Sequence, residues 1–297
     1  MKKNPFQGTG IALVTPFTLS GEVDYPALTR LVNHCISGGV EFLVALGTTG
    51  ETATLTSEEK GRIQESILSA TANRVPVVLG VGGNDTRAVC STLEKGLLPG
   101  FSGVLSVSPY YNKPTQEGIY QHYKAVASST DLPIILYNVP GRTGSNVTAS
   151  TVLRLANDCA NVVAMKEASG QMEQVMAIIQ GAPEGFDVLS GDDNLTLPML
   201  ACGAQGVISV SGQAYPGLFS GMVREARANR MAEARKAHYA LFEFTQSLFA
   251  EGNPGGIKEA LKQLGVCEST LRLPLWPISQ SLVSTIKTQM EALSRYA

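Results

Sequence analysis

Val162-Val163-Ala164-Met165-Lys166-Glu167 is a short apolar run that ends on two charged residues. A run of this length with almost no polar alternation is the pattern of a parallel strand buried on both faces. Seven similar runs occur, at residues 11–14, 42–46, 75–81, 104–107, 134–137, 186–189 and 207–210. The segments between them have helical period: Leu28, Leu31, Val32, Cys35 and Ile36 form one apolar stripe. Thr56-x-x-Glu59 is a capping box that opens the next helix. Strand and helix alternate with no linker or shift in composition, so a single (β/α)8 TIM barrel over residues 1–225 is expected. A doubly wound sheet is the alternative. Beyond residue 210 the strand signals stop and helices are expected at 218–228, 231–251 and 257–264. Residues 226–297 therefore read as a C-terminal helical region, ended by Leu271-Arg272-Leu273-Pro274-Leu275-Trp276-Pro277.

Composition narrows the function classes. The 297 residues carry a net charge of −2 and no stretch concentrates Lys or Arg, which argues against a nucleic-acid partner. The apolar runs fall well short of the roughly 20 residues that cross a bilayer. Met1-Lys2-Lys3-Asn4-Pro5 leads into no apolar signal segment, so a cytoplasmic protein with no membrane partner is expected. Cys35, Cys90, Cys159, Cys202 and Cys267 never pair as C-x-x-C, and His34, His122 and His238 are scattered. Buried reduced thiols and helix-surface or core histidines are expected, not a disulfide framework or a zinc site.

A barrel of this kind works at the C-terminal ends of its strands. Those ends are polar here: Gly47-Thr48-Thr49-Gly50-Glu51, Pro109-Tyr110-Tyr111-Asn112, Tyr137-Asn138-Val139-Pro140-Gly141-Arg142 and Lys166-Glu167. A lysine at the inner end of a buried strand must pair with a carboxylate or be able to give up its proton. Position alone leaves Lys166 evenly divided between a nucleophile and a structural ion pair. Pairing with Glu167 is awkward, because neighbours on a strand point to opposite faces. The Gly47–Gly50 turn offers hydroxyls and backbone N–H groups to a carboxylate or phosphate, a weak signal by itself. Tyr137 and Tyr111, with Thr48 as a link, suit a proton relay or plain packing. Arg142 suits a carboxylate clamp or an exposed loop charge.

Gly47-Thr48-Thr49-Gly50-Glu51, Tyr137-Asn138-Val139-Pro140, Lys166-Glu167-Ala168 and Ser190-Gly191-Asp192-Asp193 together resemble the dihydrodipicolinate synthase and N-acetylneuraminate lyase superfamily in order and spacing. The likeness covers essentially the whole chain. Arg142 after Tyr-Asn-Val-Pro, Tyr110-Tyr111-Asn112-Lys113-Pro114 and the Leu271–Leu275 tail resemble its dihydrodipicolinate synthase branch. The resemblance implies that Lys166 forms a Schiff base with pyruvate and that Thr48, Tyr111 and Tyr137 relay protons, Tyr111 entering from a neighbouring subunit of a homotetramer. It implies that Thr49 and the Thr48–Thr49 amides hold the pyruvate carboxylate and that Arg142 holds that of aspartate semialdehyde. It implies that Gly191 and Ile208 line the pocket by main-chain contacts, and it implies neither metal nor organic cofactor.

Two departures stand out. The family often has Asn-Pro-Ile-Pro-Val-Lys where this chain has Asn253-Pro254-Gly255-Gly256-Ile257-Lys258, so a different mouth is expected there. Lysine-inhibited bacterial relatives carry His and Glu where this chain has Lys60 and Ala88, although Asn84 and Tyr110 remain, so weak feedback inhibition is expected. The competing readings are a sugar-acid aldolase of the same superfamily, acting on N-acetylneuraminate or 2-keto-3-deoxygluconate, and a non-catalytic barrel that binds a keto acid.

Overall fold

The structure is a computed structural model and describes residues 4–296. Met1, Lys2 and Lys3, part of the segment on which the expectation of no signal segment rests, and Ala297, the last residue of the expected helical region, lie outside it.

Eight strands close in sequence order into a parallel barrel: β1 (Gly8–Ala12), β2 (Phe42–Ala45), β3 (Val77–Gly80), β4 (Phe101–Val107), β5 (Ile134–Asn138), β6 (Val162–Glu167), β7 (Asp187–Ser190) and β8 (Gly206–Ser209). The barrel is closed by pairing of β1 with β8, where Gly10 is partnered by Ile208. Around it run α1 (Tyr25–Ser37), α2 (Ser57–Thr71), α3 (Thr86–Glu94), α4 (Gln116–Ser128), the short α5 (Pro140–Thr143), α6 (Ala149–Asp158), α7 (Met172–Gly181), α8 (Thr196–Ala201) and α9 (Pro216–Arg227). Then come α10 (Met231–Phe249), α11 (Gly255–Gln263) and α12 (Gln280–Leu293). The expected TIM barrel with C-terminal helices is the observed fold.

Strand alternation divides the apolar residues between two cores. Phe42 and Val44, Val78, Leu105, Ile135 and Tyr137, Ala164, Leu189 and Ile208 belong to one cluster that fills the barrel. Their alternates, such as Leu43, Leu79, Leu136 and Met165, belong to the shell between sheet and helices. Each fully buried Leu, Ile or Phe in these layers contributes about 2 kcal/mol. Phe6 and Phe42 plug the floor of the barrel edge to face, with ring centres 5.8 Å apart. Gly10 makes room for them, since a Cβ there would lie 2.2 Å from the Phe42 ring.

The outer shell continues into the C-terminal helices. Leu241, Phe244 and Leu248 of α10, Ile257, Ala260 and Leu261 of α11, and Leu282 and Ile286 of α12 share one cluster with the barrel helices. The Thr56–Glu59 capping box forms as expected, and Leu28, Leu31, Val32 and Cys35 are buried on α1.

Some expectations need correction. The chain does not end its helices at Leu271–Pro277: α12 follows, capped by Ser279, whose hydroxyl accepts from the Leu282 N–H at 3.2 Å. Where a mouth different from the family's is expected, Gly255 and Gly256 form the first turn of α11. Gly256 packs against α10, where a Cβ would meet the Leu248 carbonyl oxygen at 2.4 Å. Cys202 is exposed, whereas Cys35, Cys159 and Cys267 are buried as expected; all five cysteines are free. Among the described residues no cluster of His, Cys, Asp and Glu could hold a metal ion, and no helix is long and apolar enough to cross a membrane.

Candidate active site

β6 carries Ala164 into the barrel interior, and Lys166, two residues on, shares that face. Lys166 is 5% exposed, and its Nζ lies 4.4 Å from the centre of the Tyr137 ring. The two are register partners across β5 and β6. Among the described residues no carboxylate forms an ion pair with Lys166. The structural ion pair allowed by its position is therefore not made.

The reason lies on the other face of the same strands. Asn138 and Glu167, the next register pair, point outward, and the Asn138 amide donates to Glu167 Oε2 at 3.0 Å. Glu167 also accepts from the Ser169 N–H at 2.6 Å and from Gln174 Nε2 at 3.0 Å. Asn138 Oδ1 accepts the Val147 N–H at 3.0 Å. The Glu167 carboxylate is thus consumed by outer-face donors, and the register it helps to hold keeps Lys166 and Tyr137 side by side inside.

Lys166 opens into a cavity of about 670 Å³ at the C-terminal end of the barrel. Thr48, Thr49, Tyr137, Arg142 and Gly191 line it with Lys166. Thr48–Gly50 is a 3-10 turn directly after β2, and the first N–H groups of such a turn have no partner within it. Arg142 sits on α5, which Pro140 starts, and its exposed side chain forms no ion pair with a described residue. Gly191 follows β7, and a Cβ there would lie 3.1 Å from Lys166 Cε and 2.7 Å from the Ala168 Cβ. Only glycine leaves the lysine stem free to swing. Ile208 is buried in the barrel cluster below the cavity. Tyr111 stands apart: it lies beyond β4, is 82% exposed and has a left-handed φ of 73°.

Several residues at the site were given no role by spacing or composition. Phe242, Thr245, Gln246 and Phe249, one face of α10 at i, i+3, i+4 and i+7, form a wall of the cavity. Asn253 Nδ2 donates to Thr49 Oγ1 at 3.0 Å. Asp193 Oδ2 accepts the N–H groups of Val210 at 3.0 Å and Ser211 at 2.8 Å, which shapes the end of β8. Burial pushes the Asp193 carboxyl above the usual carboxylate range, and those donors oppose the shift. Glu51 and Lys258 form an ion pair with both side chains buried. Only the α10 face had a readable signal, its helical spacing.

Residues 5–293 match the model of the dihydrodipicolinate synthetase family. The chain belongs to that family. Its resemblance to the 4-hydroxy-tetrahydrodipicolinate synthase of Flavobacterium psychrophilum is 51% identity over 290 residues, 98% of this chain and 99% of the relative. The crystal structure of dihydrodipicolinate synthase from Aquifex aeolicus superposes with a TM-score of 0.92 at 42% identity, covering 98% of each chain. That of the chloride-inhibited dihydrodipicolinate synthase from Acinetobacter baumannii, complexed with pyruvate, superposes with a TM-score of 0.94 at 37% identity over 97% of this chain and 99% of the other. Like these family members, the chain is a lyase-type enzyme.

Proposed function

We propose that this dihydrodipicolinate synthetase family member condenses pyruvate with L-aspartate 4-semialdehyde to 4-hydroxy-tetrahydrodipicolinate, a step towards diaminopimelate and lysine. The observation that carries the proposal is Lys166 Nζ, in no ion pair with a described carboxylate, over the Tyr137 ring in a cavity that also holds Thr48, Thr49 and Arg142. The names of the relatives and the pyruvate complex of the Acinetobacter baumannii protein support it.

Lys166 Nζ attacks the pyruvate carbonyl carbon, water leaves, and an imine joins the substrate to the lysine. Loss of a methyl proton gives an enamine, whose carbon attacks the aldehyde of the second substrate. The amine of that substrate then adds to the imine carbon and expels Lys166, closing the ring. The net change is loss of one water, and the lysine amine is the only covalent catalyst required. Tyr137 and Thr48 carry the protons, and Tyr111 of a second copy completes the relay in a homotetramer. Thr49 and the Thr48–Thr49 amides hold the pyruvate carboxylate, while Gly191 and Ile208 contribute main-chain contacts. Arg142 pairs with the carboxylate of the semialdehyde, a group absent from the polyhydroxylated end of a sugar acid.

Purified protein supplied with pyruvate and aspartate semialdehyde should consume both, and Arg142→Leu should raise KM for the semialdehyde by about tenfold, the loss of one charge-assisted pair to its carboxylate. Cleavage of N-acetylneuraminate or 2-keto-3-deoxygluconate without that condensation would defeat the proposal.

A further inference from the structure

The turn that offers its donors to a keto-acid carboxylate is gripped from the C-terminal helices at two points. Asn253 holds the Thr49 hydroxyl oxygen, which leaves the hydroxyl proton free to point into the cavity. Lys258, on α11, pairs with Glu51, the residue that closes the Thr48–Gly50 turn through its own N–H to the Thr48 carbonyl at 3.2 Å. Glu51 takes a left-handed φ of 52°, which a side chain adopts at a cost and which its surroundings must hold.

The pair is over-determined. Lys258 is 0% exposed, donates a further hydrogen bond to the Thr270 carbonyl at 2.8 Å, and lies 4.1 Å from the centre of the Phe17 ring. The second oxygen of Glu51 accepts the Arg272 N–H at 3.2 Å. The Arg272 guanidinium packs on the same Phe17 ring and is anchored by Glu59. Two cations on one aromatic ring, each paired with a carboxylate, are thus gathered between β1, α2, α11 and the tail before α12. Burial draws the Lys258 ammonium below its usual range, and the Glu51 carboxylate opposes that. A buried ion pair stabilises little compared with apolar residues of the same volume, so its distinctive contribution is fixed geometry.

We propose that Lys258 is a positioning residue for the keto-acid carboxylate: through Glu51 it holds the Thr48–Thr49 turn at the angle that binding requires. This gives the C-terminal helical region a part in the site, and it rests on the pyruvate reading above. The turn and the fastening are more than 200 residues apart in sequence, and no spacing links them.

The test is borohydride trapping of pyruvate on Lys166, titrated in the parent and in Lys258→Met. The variant should need about tenfold more pyruvate for half-maximal trapping, the scale of a small misplacement of binding groups, yet reach the parent's trapped fraction at saturation. Its kcat at saturating pyruvate should stay within about threefold of the parent's. A purely structural role would lower the trapped fraction and leave the half-saturating concentration unchanged, and that result overturns the inference. Should Lys258→Met fail to fold with Glu51 left uncompensated, the neutral double variant Glu51→Gln/Lys258→Met carries the same titration. If neither folds, the pair is structural and the inference fails. A parent that traps no pyruvate overturns the pyruvate reading together with this one, whereas a variant that titrates like a trapping parent overturns this one alone.

Discussion

Nζ of Lys166 stands 4.4 Å from the centre of the Tyr137 ring, and the two residues are register partners on adjacent strands. The ring face lies against Nζ, and the phenol hydroxyl stands at the ring's edge, the group to which the proposed relay assigns a proton. These two contributions separate cleanly by mutation.

Tyr137→Phe keeps the ring beneath Lys166 and removes only the hydroxyl. It should lower kcat by about 100-fold, at the lower end of what a positioned acid-base group supplies, while Schiff-base trapping at Lys166 persists. Steady-state rates beside trapping measure both. A kcat within about twofold of the parent would remove Tyr137 from the relay.

Acid stability should depend on His122. It is buried on α4 with Nδ1 2.9 Å from the Thr86 hydroxyl, and burial pulls it from 6.5 down to about 4. The unfolded chain takes up this proton at a higher pH than the folded one, so stability is lost as pH falls from about 6.5 towards 4. His122→Asn keeps a hydrogen-bonding atom near Nδ1 and removes the titration. Between pH 7 and 5 the parent should lose about 2 kcal/mol more unfolding free energy than the variant in urea titrations. A second loss follows at lower pH from Glu59, which hydrogen bonding from Arg272 holds down at about 2. Its contribution is present above about 4.5 and disappears towards 2. Parallel pH profiles for parent and His122→Asn would contradict the first assignment.

Feedback by L-lysine should be weak. Lys60 on α2 and Ala88 on α3 are the residues that the family resemblance sets against a His and a Glu of lysine-inhibited relatives, and the expectation rests on that match. A cation is added and an anion lost where a cationic ligand would bind, and both changes are unfavourable to it. Millimolar L-lysine should change initial rates by less than about twofold, and strong inhibition would show that the site binds lysine through other groups.

The barrel was legible because parallel strands buried on both faces leave continuous apolar runs, and each run overlaps a strand. Boundaries shifted where glycine broke the run. β1 begins at Gly8 because Gly10 is demanded by the Phe42 ring, not by hydrophobicity, and β4 begins at Phe101, ahead of Gly103. The proline-rich stretch before α12 reads as an ending, although Leu282, Ile286, Met290 and Leu293 carry a helical stripe. In the site, Lys166, Tyr137, Thr48, Thr49 and Arg142 were legible as polar residues at strand ends, and Gly191 only through the family resemblance. Asn253 on Thr49 and Lys258 on Glu51 were not, since long-range side-chain contacts leave no local pattern.

The central claim is that Lys166 is the amine that captures pyruvate. Borohydride reduction in the presence of saturating pyruvate, followed by mass spectrometry of the peptide containing Lys166, tests it directly. A reduced pyruvate adduct on Lys166, absent when pyruvate is omitted and absent from Lys166→Ala, is the predicted result. An unmodified Lys166, or an adduct on a different lysine, would contradict it.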